Sequence, residues 1–246
     1  EGLVIMGFCE QDYKKLRESM HIPFVVYDGY FKHPGRICNI IVDNYDGGLQ
    51  TGRYFYKMGH RKVLCISDND ICMDHERWEG FCAGMEETER KKGEKKKIGI
   101  GRNCIEDAGA DFLLIPSQKE ERFLLYEKEI KMFLKYTAVF AVSDYYALEL
   151  MHFLQERGIR IPEDISISGF DGSPICEQVY PSLTTVAQDG RERAKLAIQA
   201  LKDMKQGVGE GSVKILPVTL IERNSVKRIL SKQTNFQRYF CNGLRV

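Results

Sequence analysis

The sequence predicts an α/β chain with one doubly wound, mainly parallel sheet or two of them, and three observations carry that prediction. Short apolar runs alternate with amphipathic stretches from residue 2 to residue 221, the hydrophobic period switching between two and 3.6 residues. Several of the runs stop at an acid on a strand-to-helix or strand-to-loop turn, namely Asp28, Asp43, Asp144 and Asp171. The length, 246 residues at 43% hydrophobic and 29% charged, fits one large domain or two lobes with sizeable cores.

Residues 2–8 (G-L-V-I-M-G-F) read as a strand, 10–20 as an amphipathic helix and 22–27 as a second strand ending in Asp28 and Gly29. Such a βαβ unit makes its two strands parallel. The next strand is 39–42, after which Asp43, Asn44 and Asp46 offer N-caps for a helix to about Lys57, closed by Gly59. Residues 62–67 form a strand and 74–89 a helix with Trp78, Phe81, Cys82 and Met85 on one face and Arg77 in its first turn. An arginine there gains nothing from the helix dipole, so a ligand or carboxylate partner explains it better than helix stability; the alternative is a solvated surface arginine. The basic stretch 90–102 lacks the third glycine of a phosphate-cradling loop and reads as a solvated linker.

A strand at 112–115 and a long helix at 119–136 follow. The apolar run 138–142 is a buried strand stopping at Ser143 and Asp144, before a helix over 145–157 that Gly158 caps. Tyr145 and Tyr146 offer aromatic surface to a sugar or a base, with one of the two facing the cleft. Ile165 and Ile167 alternate with serines into Gly169 and Phe170, the period-two pattern of a strand that delivers Asp171 to its carboxyl end. Open α/β sheets bind ligands at that rim; a turn-forming Asp before Gly172 is the alternative. A short strand at 183–186, a helix at 189–204 with Ala194, Ala197, Ile198 and Leu201 inward, and a last strand at 215–221 complete the pattern. Pro217 restricts that last strand to an edge, a bulge or a crossover, and 231–246 has no periodicity.

With 36 Lys and Arg against 35 Asp and Glu, the net charge of +1 gives the chain as a whole no electrostatic footprint for nucleic acid or an anionic membrane. Cys38, Cys65 and Cys82 lie in or beside apolar runs and read as free buried thiols in a reducing, cytoplasmic compartment. Cys72, His75 and Cys82 come nearest to metal-ligand spacing but lack a second tight pair, so neither a metal nor a cofactor is expected. No run approaches the ~18 residues of a membrane span, and no signal-peptide pattern follows Glu1, whose place at the start leaves room for a removed beginning. Without a G-x-S-x-G elbow, an H-E-x-x-H helix or a complete P-loop, no enzyme is expected; His60, in M-G-H-R, reads as a cap or loop residue.

Seven pieces in one order carry a resemblance: V-D-N-Y-D-G-G-L-Q-T-G from Val42, M-G-H-R-K-V from Met58, R-W-E-G-F from Arg77, A-V-F-A-V-S-D from Ala138, G-I-R-I-P-E-D-I-S-I-S-G-F-D from Gly158, P-S-L-T-T-V-A-Q-D from Pro181 and L-P-V-T-L-I-E-R-N-S from Leu216. Together they resemble the effector-binding domain of LacI/GalR-type bacterial transcriptional repressors, which share the fold of periplasmic sugar-binding proteins. The resemblance implies two doubly wound parallel-sheet lobes, residues 1–41 with 188–216 and residues 42–187 with 217–228. They would be joined by three crossovers near 41–43, 186–188 and 216–218, with ligand in the cleft between them and lobe closure as the bistable element. Arg77 matches the family's effector-binding arginine and Asp171 the acid that accepts ligand hydroxyl or amine hydrogens. Ser143 stands where many members have Asn before Asp144, a swap that leaves room for a different ligand group. Asp28 and Asp43 match acids that line the cleft in some members, and Tyr145 and Phe170 complete the candidate set.

The partners this implies are a small-molecule effector, carbohydrate in kind, a second copy in a homodimer, and operator DNA reached only through a segment outside this chain, with no membrane. The alternative is a sugar-binding protein of a transport system. The family's helix-turn-helix, its hinge helix and the first strand-helix-strand-helix of its N-terminal lobe have no match, and residues 2–8 correspond to its third strand. That lobe is therefore expected to lack its central strand and to expose an open sheet edge. Arg77→Ala is expected to abolish the ligand response and leave the fold.

Overall fold

The computed structural model describes residues 2–7, 22–29, 37–87 and 109–229; the helix read at 10–20, the linker at 90–102 and the tail at 231–246 lie outside them. In chain order the first elements are β1 (Leu3–Met6), β2 (Phe24–Tyr27), β3 (Ile37–Val42), α1 (Asn44–Lys57), β4 (Val63–Ser67) and α2 (Cys72–Glu87). Next come β5 (Ala110–Leu114), α3 (Lys119–Phe133), β6 (Ala138–Ala141), α4 (Asp144–Glu156) and β7 (Ser166–Asp171). A single 3-10 turn (Pro174–Glu177), β8 (Thr184–Gln188), α5 (Gly190–Lys205), β9 (Val213–Leu216) and β10 (Val218–Ile221) complete the set.

The strands form two sheets. One has the order β1-β2-β3-β9 and is parallel throughout. The other has the order β10-β8-β7-β6-β4-β5 and is parallel except for β10, which runs antiparallel to β8 at the edge. Within the described residues β1 pairs with β2 alone, and its Met6 is 70% exposed. The chain passes between the sheets after β3, again from β8 into α5, whose Ala197, Ala200 and Met204 pack with Val25, Cys38 and Ile40, and finally between β9 and β10. This last passage divides the run 215–221, read as one strand with a crossover near 216–218, into two strands: β9 pairs with β3 and β10 with β8, so Pro217, which has no N–H to give, stands between two ladders.

The larger sheet is covered on both faces, and alternation along its strands sorts side chains into two layers. Val63, Cys65 and Phe140 meet Phe55, Phe81 and Met85 of α1 and α2. Leu64, Ile66, Val139, Ile165 and Ile167 meet Phe133, Leu150 and Leu154 of α3 and α4. Ser166 and Ser168, which alternate with those isoleucines, are also fully buried, so the alternation marks a second covered face; Ser166 Oγ accepts the Lys227 N–H (3.1 Å). On the first layer α1 and α2 touch almost backbone to backbone. A Cβ on Gly48 would lie 2.0 Å from the Arg77 carbonyl oxygen and one on Gly80 would lie 1.9 Å from that of Tyr45. The paired glycines thus fix the depth at which Arg77 enters the molecule.

His60 lies in the loop that closes α1, its N–H donating to the Phe55 carbonyl (3.0 Å). It is fully buried, with Nδ1 3.0 Å from Thr137 Oγ1 and Nε2 3.1 Å from the Lys227 carbonyl, and burial pushes its pKa down to about 4. The folded state therefore binds fewer protons than the unfolded state between about pH 4 and 6.5. Stability from this site, ~3 kcal/mol, is present above pH 6.5 and lost as pH falls through that window. Urea unfolding at pH 7.5 and 5.0 is expected to show this loss in the wild type and a smaller one in His60→Gln; equal losses would remove His60 as the source.

Candidate functional site

Between the two sheets lies a cavity of about 930 Å³, and each strand that reaches it does so with its carboxyl end. The smaller sheet supplies Met6 and Asp28 from the ends of β1 and β2, with Arg193 from α5. The larger sheet supplies Asp68 and Asn69 after β4, Asp74 and Arg77 from α2, Asp171 from the end of β7 and Gln188 from the end of β8. Ser143, Tyr145 and Tyr146, at the start of α4, form a further wall.

Arg77 is 5% exposed and held on all sides. Its Nε donates to Asn44 Oδ1 (2.9 Å) and its Nη1 to the Val142 carbonyl (2.6 Å), while the guanidinium lies 3.8 Å from the centroid of the Phe170 ring. Asp74 Oδ1 is 3.7 Å and Asp171 Oδ1 4.0 Å from Nη1. Among the described residues Nη2 has only the Met73 thioether (3.8 Å), a weak acceptor, which leaves donor capacity at the cavity wall. Asp74 accepts from Ser67 Oγ (2.6 Å) and Asn69 Nδ2 (2.9 Å); burial raises its pKa against the pull of Ser67 and Arg77.

Asp171 accepts from Gln188 Nε2 (2.9 Å), and burial pushes its carboxyl up to about 6, opposed by Arg77 and reinforced by Asp144. On the facing side Asp28 lies 2.7 Å from Arg193 Nη2. Arg193 Nη1 donates to Gln188 Oε1 (3.3 Å), so Gln188, where the chain changes sheets, touches the acid of one pair and the arginine of the other. Asp28 (φ 53°), Cys72 (φ 53°) and Asp171 (φ 122°) are the non-glycine residues with left-handed backbone among those described, and all three line the cavity. Strain of this kind persists where the surroundings over-determine it, and here it gathers in one place.

Of the residues singled out from the sequence, the cavity brings together Arg77, Asp171, Asp28, Ser143 and Tyr145. Ser143 Oγ also caps α4 by accepting the Tyr145 N–H (3.1 Å). The other three lie behind or beside the wall. Phe170 is fully buried under Arg77, and Asp144, 1% exposed, accepts from Ser173 N (2.7 Å) and Thr185 Oγ1, bracing the turn after Asp171. Asp43 accepts the Asp46 N–H (2.9 Å) as the N-cap of α1. Both tyrosines line the cavity, contrary to the expectation that one would turn away. They sit in the first turn of α4, at the cavity's edge, with ring centroids 5.6 Å apart at 70°.

Arg193 and Gln188 were not found from the sequence. The helix at 189–204 was expected to bury Ala194 and Ile198, yet Ile198 is 57% exposed and the buried row is Arg193, Ala197, Ala200 and Met204. That row has helical spacing with an arginine at its head, a signal that hydropathy hides because it scores arginine as surface.

The profile of the periplasmic binding protein-like domain family matches residues 53–226. The HTH-type transcriptional repressor PurR of Vibrio atlanticus (strain LGP32) is 31% identical over 237 residues, covering 93% of this chain and 65% of the repressor; the chain thus spans somewhat under two thirds of that relative's length. A periplasmic binding protein/LacI transcriptional regulator from Alkaliphilus metalliredigens QYMF, complexed with D-xylulofuranose, superposes with TM-score 0.72 at 28% identity over 92% of this chain and 77% of the other. A LacI family transcriptional regulator from Enterococcus faecium, with bound ribose, shares the fold with TM-score 0.76 at 24% identity over 93% of this chain and 80% of the other. With the strand order, the crossings and the arginine-and-acid cavity already in place, the chain belongs to the periplasmic-binding-protein-like domain family.

Proposed function

We propose that this chain is the ligand-sensing domain of a LacI-type transcriptional regulator, that it binds a sugar or similar polar small molecule in the cavity, and that the bound state reaches operator DNA through a helix-turn-helix outside this chain. The observation that carries the reading is the pair of acid–arginine couples presented from opposite sheets, Asp28 with Arg193 and Asp171 with Arg77. Carboxylates accept hydroxyl hydrogens, guanidiniums donate to hydroxyl oxygens, and the tyrosines offer an apolar face to ring C–H groups. A polyol gripping both couples has more contacts when the sheets are close than when they are apart, so it biases closure about the three passages, near Asp43, Gln188 and Pro217. The relatives that carry ribose and D-xylulofuranose support a ligand of this size and kind.

The same reading has the regulator acting as a homodimer, in the cytoplasm, without catalysis. The buried thiols Cys38 and Cys176 suit a reducing compartment, and among the described residues no helix is long and apolar enough to cross a membrane.

A thermal-shift screen of free pentoses, hexoses and nucleosides tests the function. A true ligand at ~100 times its Kd adds about 2.7 kcal/mol to folding stability; no shift with any of them would overturn the reading. Because a ligand hydroxyl bonds more strongly to the ionised Asp171 carboxylate than to its protonated form, affinity is expected to weaken as pH falls through about 6. Calorimetric titrations at pH 7.5 and 5.0 check this, with the step absent in Asp171→Asn.

A further inference from the structure

We propose that Asp28 and Arg193 are a specificity-determining couple that restricts the effector to an uncharged polyol and turns away its phosphorylated or carboxylated forms. The inference rests on the sensing function above and narrows its ligand.

Arg193 is a built feature and not a loose surface cation. It is 8% exposed, sits 2.7 Å from Asp28 Oδ1, donates to the Ile40 carbonyl (3.3 Å) and lies 4.3 Å from the centroid of the Tyr27 ring, whose hydroxyl donates back to the Arg193 carbonyl (3.1 Å). Its buried Nε has no hydrogen-bond partner among the described residues. A buried donor without a partner is costly unless something supplies the acceptor, and Arg193 lines the cavity in which a ligand oxygen would stand.

Charge decides which oxygen. Among the described lining residues Asp28, Asp68, Asp74 and Asp171 stand against Arg77 and Arg193, four acids and two bases, a formal charge of −2. Neither arginine is unclaimed, since Arg193 has Asp28 at 2.7 Å and Arg77 has Asp74 at 3.7 Å and Asp171 at 4.0 Å. Helix N-termini attract anions, but the helices that begin at the cavity already carry acids in their first turns: Asp74 on α2, Asp144 on α4 and Glu192 on α5. A phosphate entering here would meet repulsion and would have to draw a guanidinium from a partly buried acid. A hydroxyl needs no such exchange, because it accepts from Arg193 and donates to Asp28 at once, and two neighbouring hydroxyls complement the couple without disturbing it.

The test is a set of calorimetric titrations of the chain at pH 7.5 with matched probes: D-ribose and D-ribose 5-phosphate, D-glucose and D-glucose 6-phosphate, adenosine and adenosine monophosphate. A neutral probe is expected to bind and its phosphorylated counterpart to bind at least about tenfold more weakly. A phosphorylated probe binding as tightly as its neutral partner would overturn the inference and leave the sensing function standing. Binding by no probe of either kind would remove both. Asp28→Asn, near-isosteric, takes away one negative charge and frees Arg193, so it is expected to weaken the neutral probe and strengthen the phosphorylated one by about tenfold or more. Arg193→Gln is expected to weaken the neutral probe with no gain for the phosphorylated one. Unchanged discrimination in Asp28→Asn would take the couple out of the specificity role.

Discussion

Replacing Arg77 with alanine is expected to destabilise the domain by about 3–5 kcal/mol as well as to abolish ligand binding. The sequence alone suggests that the fold survives this change, because a ligand accounts for an arginine at that place without any role in packing. Its geometry says otherwise. The guanidinium is buried, bonds Asn44 and the Val142 carbonyl, covers the face of Phe170 and stands beside Asp74, itself 6% exposed. Truncation leaves a buried carboxylate without its counter-charge and two acceptors without their donor. For a chain of this size the loss corresponds to a fall in Tm of roughly 6–20 °C. Urea unfolding of Arg77→Ala alone and combined with Asp74→Asn separates the two roles. The second substitution is expected to restore part of the stability, since it removes the stranded charge, and none of the binding. An unfolding midpoint at the wild-type position in Arg77→Ala would show that Asp74 is compensated by some other group.

The strands were legible because the larger sheet is covered on both faces and its strands read as near-continuous apolar runs, as at 138–142 and 62–67. Strand ends were legible too, and Asp171, Asp28, Ser143 and Tyr145, read at or just after them, line one cavity with Arg77 of α2. What a local pattern does not carry is which side of a turn a side chain takes. Asp144 and Phe170 stand next to Ser143 and Asp171 in sequence and face inward, where they support the residues that face the cavity. Nor does it carry long-range charge pairing. Arg193 sits on a helix seam and reads as surface until Asp28, near the other end of the chain, is brought to 2.7 Å by the parallel stacking of β2 and the packing of α5 on it. Residues 215–221 form one apolar run whose halves belong to different sheets, and the break was marked by Pro217 and by the crossover that the family resemblance places near 216–218.

Long-range pairing of this kind also sets the second large effect, at Glu149, where alanine is expected to cost about 3–5 kcal/mol. Glu149 on α4 accepts two bonds from Arg122 on α3, Nε to Oε1 at 2.7 Å and Nη2 to Oε2 at 3.0 Å, and the two residues are 8% and 1% exposed. Losing the carboxylate strands a guanidinium inside the layer that joins these helices to the larger sheet. A wholly apolar replacement, Arg122→Met with Glu149→Leu, removes the stranded charge and is expected to recover part of the loss. Recovery stays incomplete because Arg122 Nη1 also donates to the carbonyls of Pro116 (3.0 Å) and Ser117 (2.6 Å), which then lose a donor at about 1–3 kcal/mol each if water does not reach them. The pair also backs the cavity: the Arg122 guanidinium lies 4.9 Å from the centroid of the Tyr146 ring and 5.5 Å from that of Tyr145. Glu149→Ala is therefore expected to weaken ligand binding severalfold even where the protein is fully folded, while a surface pair such as Lys195 with Glu192, 3.4 Å apart and exposed, is expected to change neither quantity when broken. Urea unfolding and calorimetric titration well below the midpoint read the two effects separately. Unchanged affinity in a destabilised Glu149→Ala would confine the pair to holding the helices together and place the tyrosine wall under the control of α4 alone.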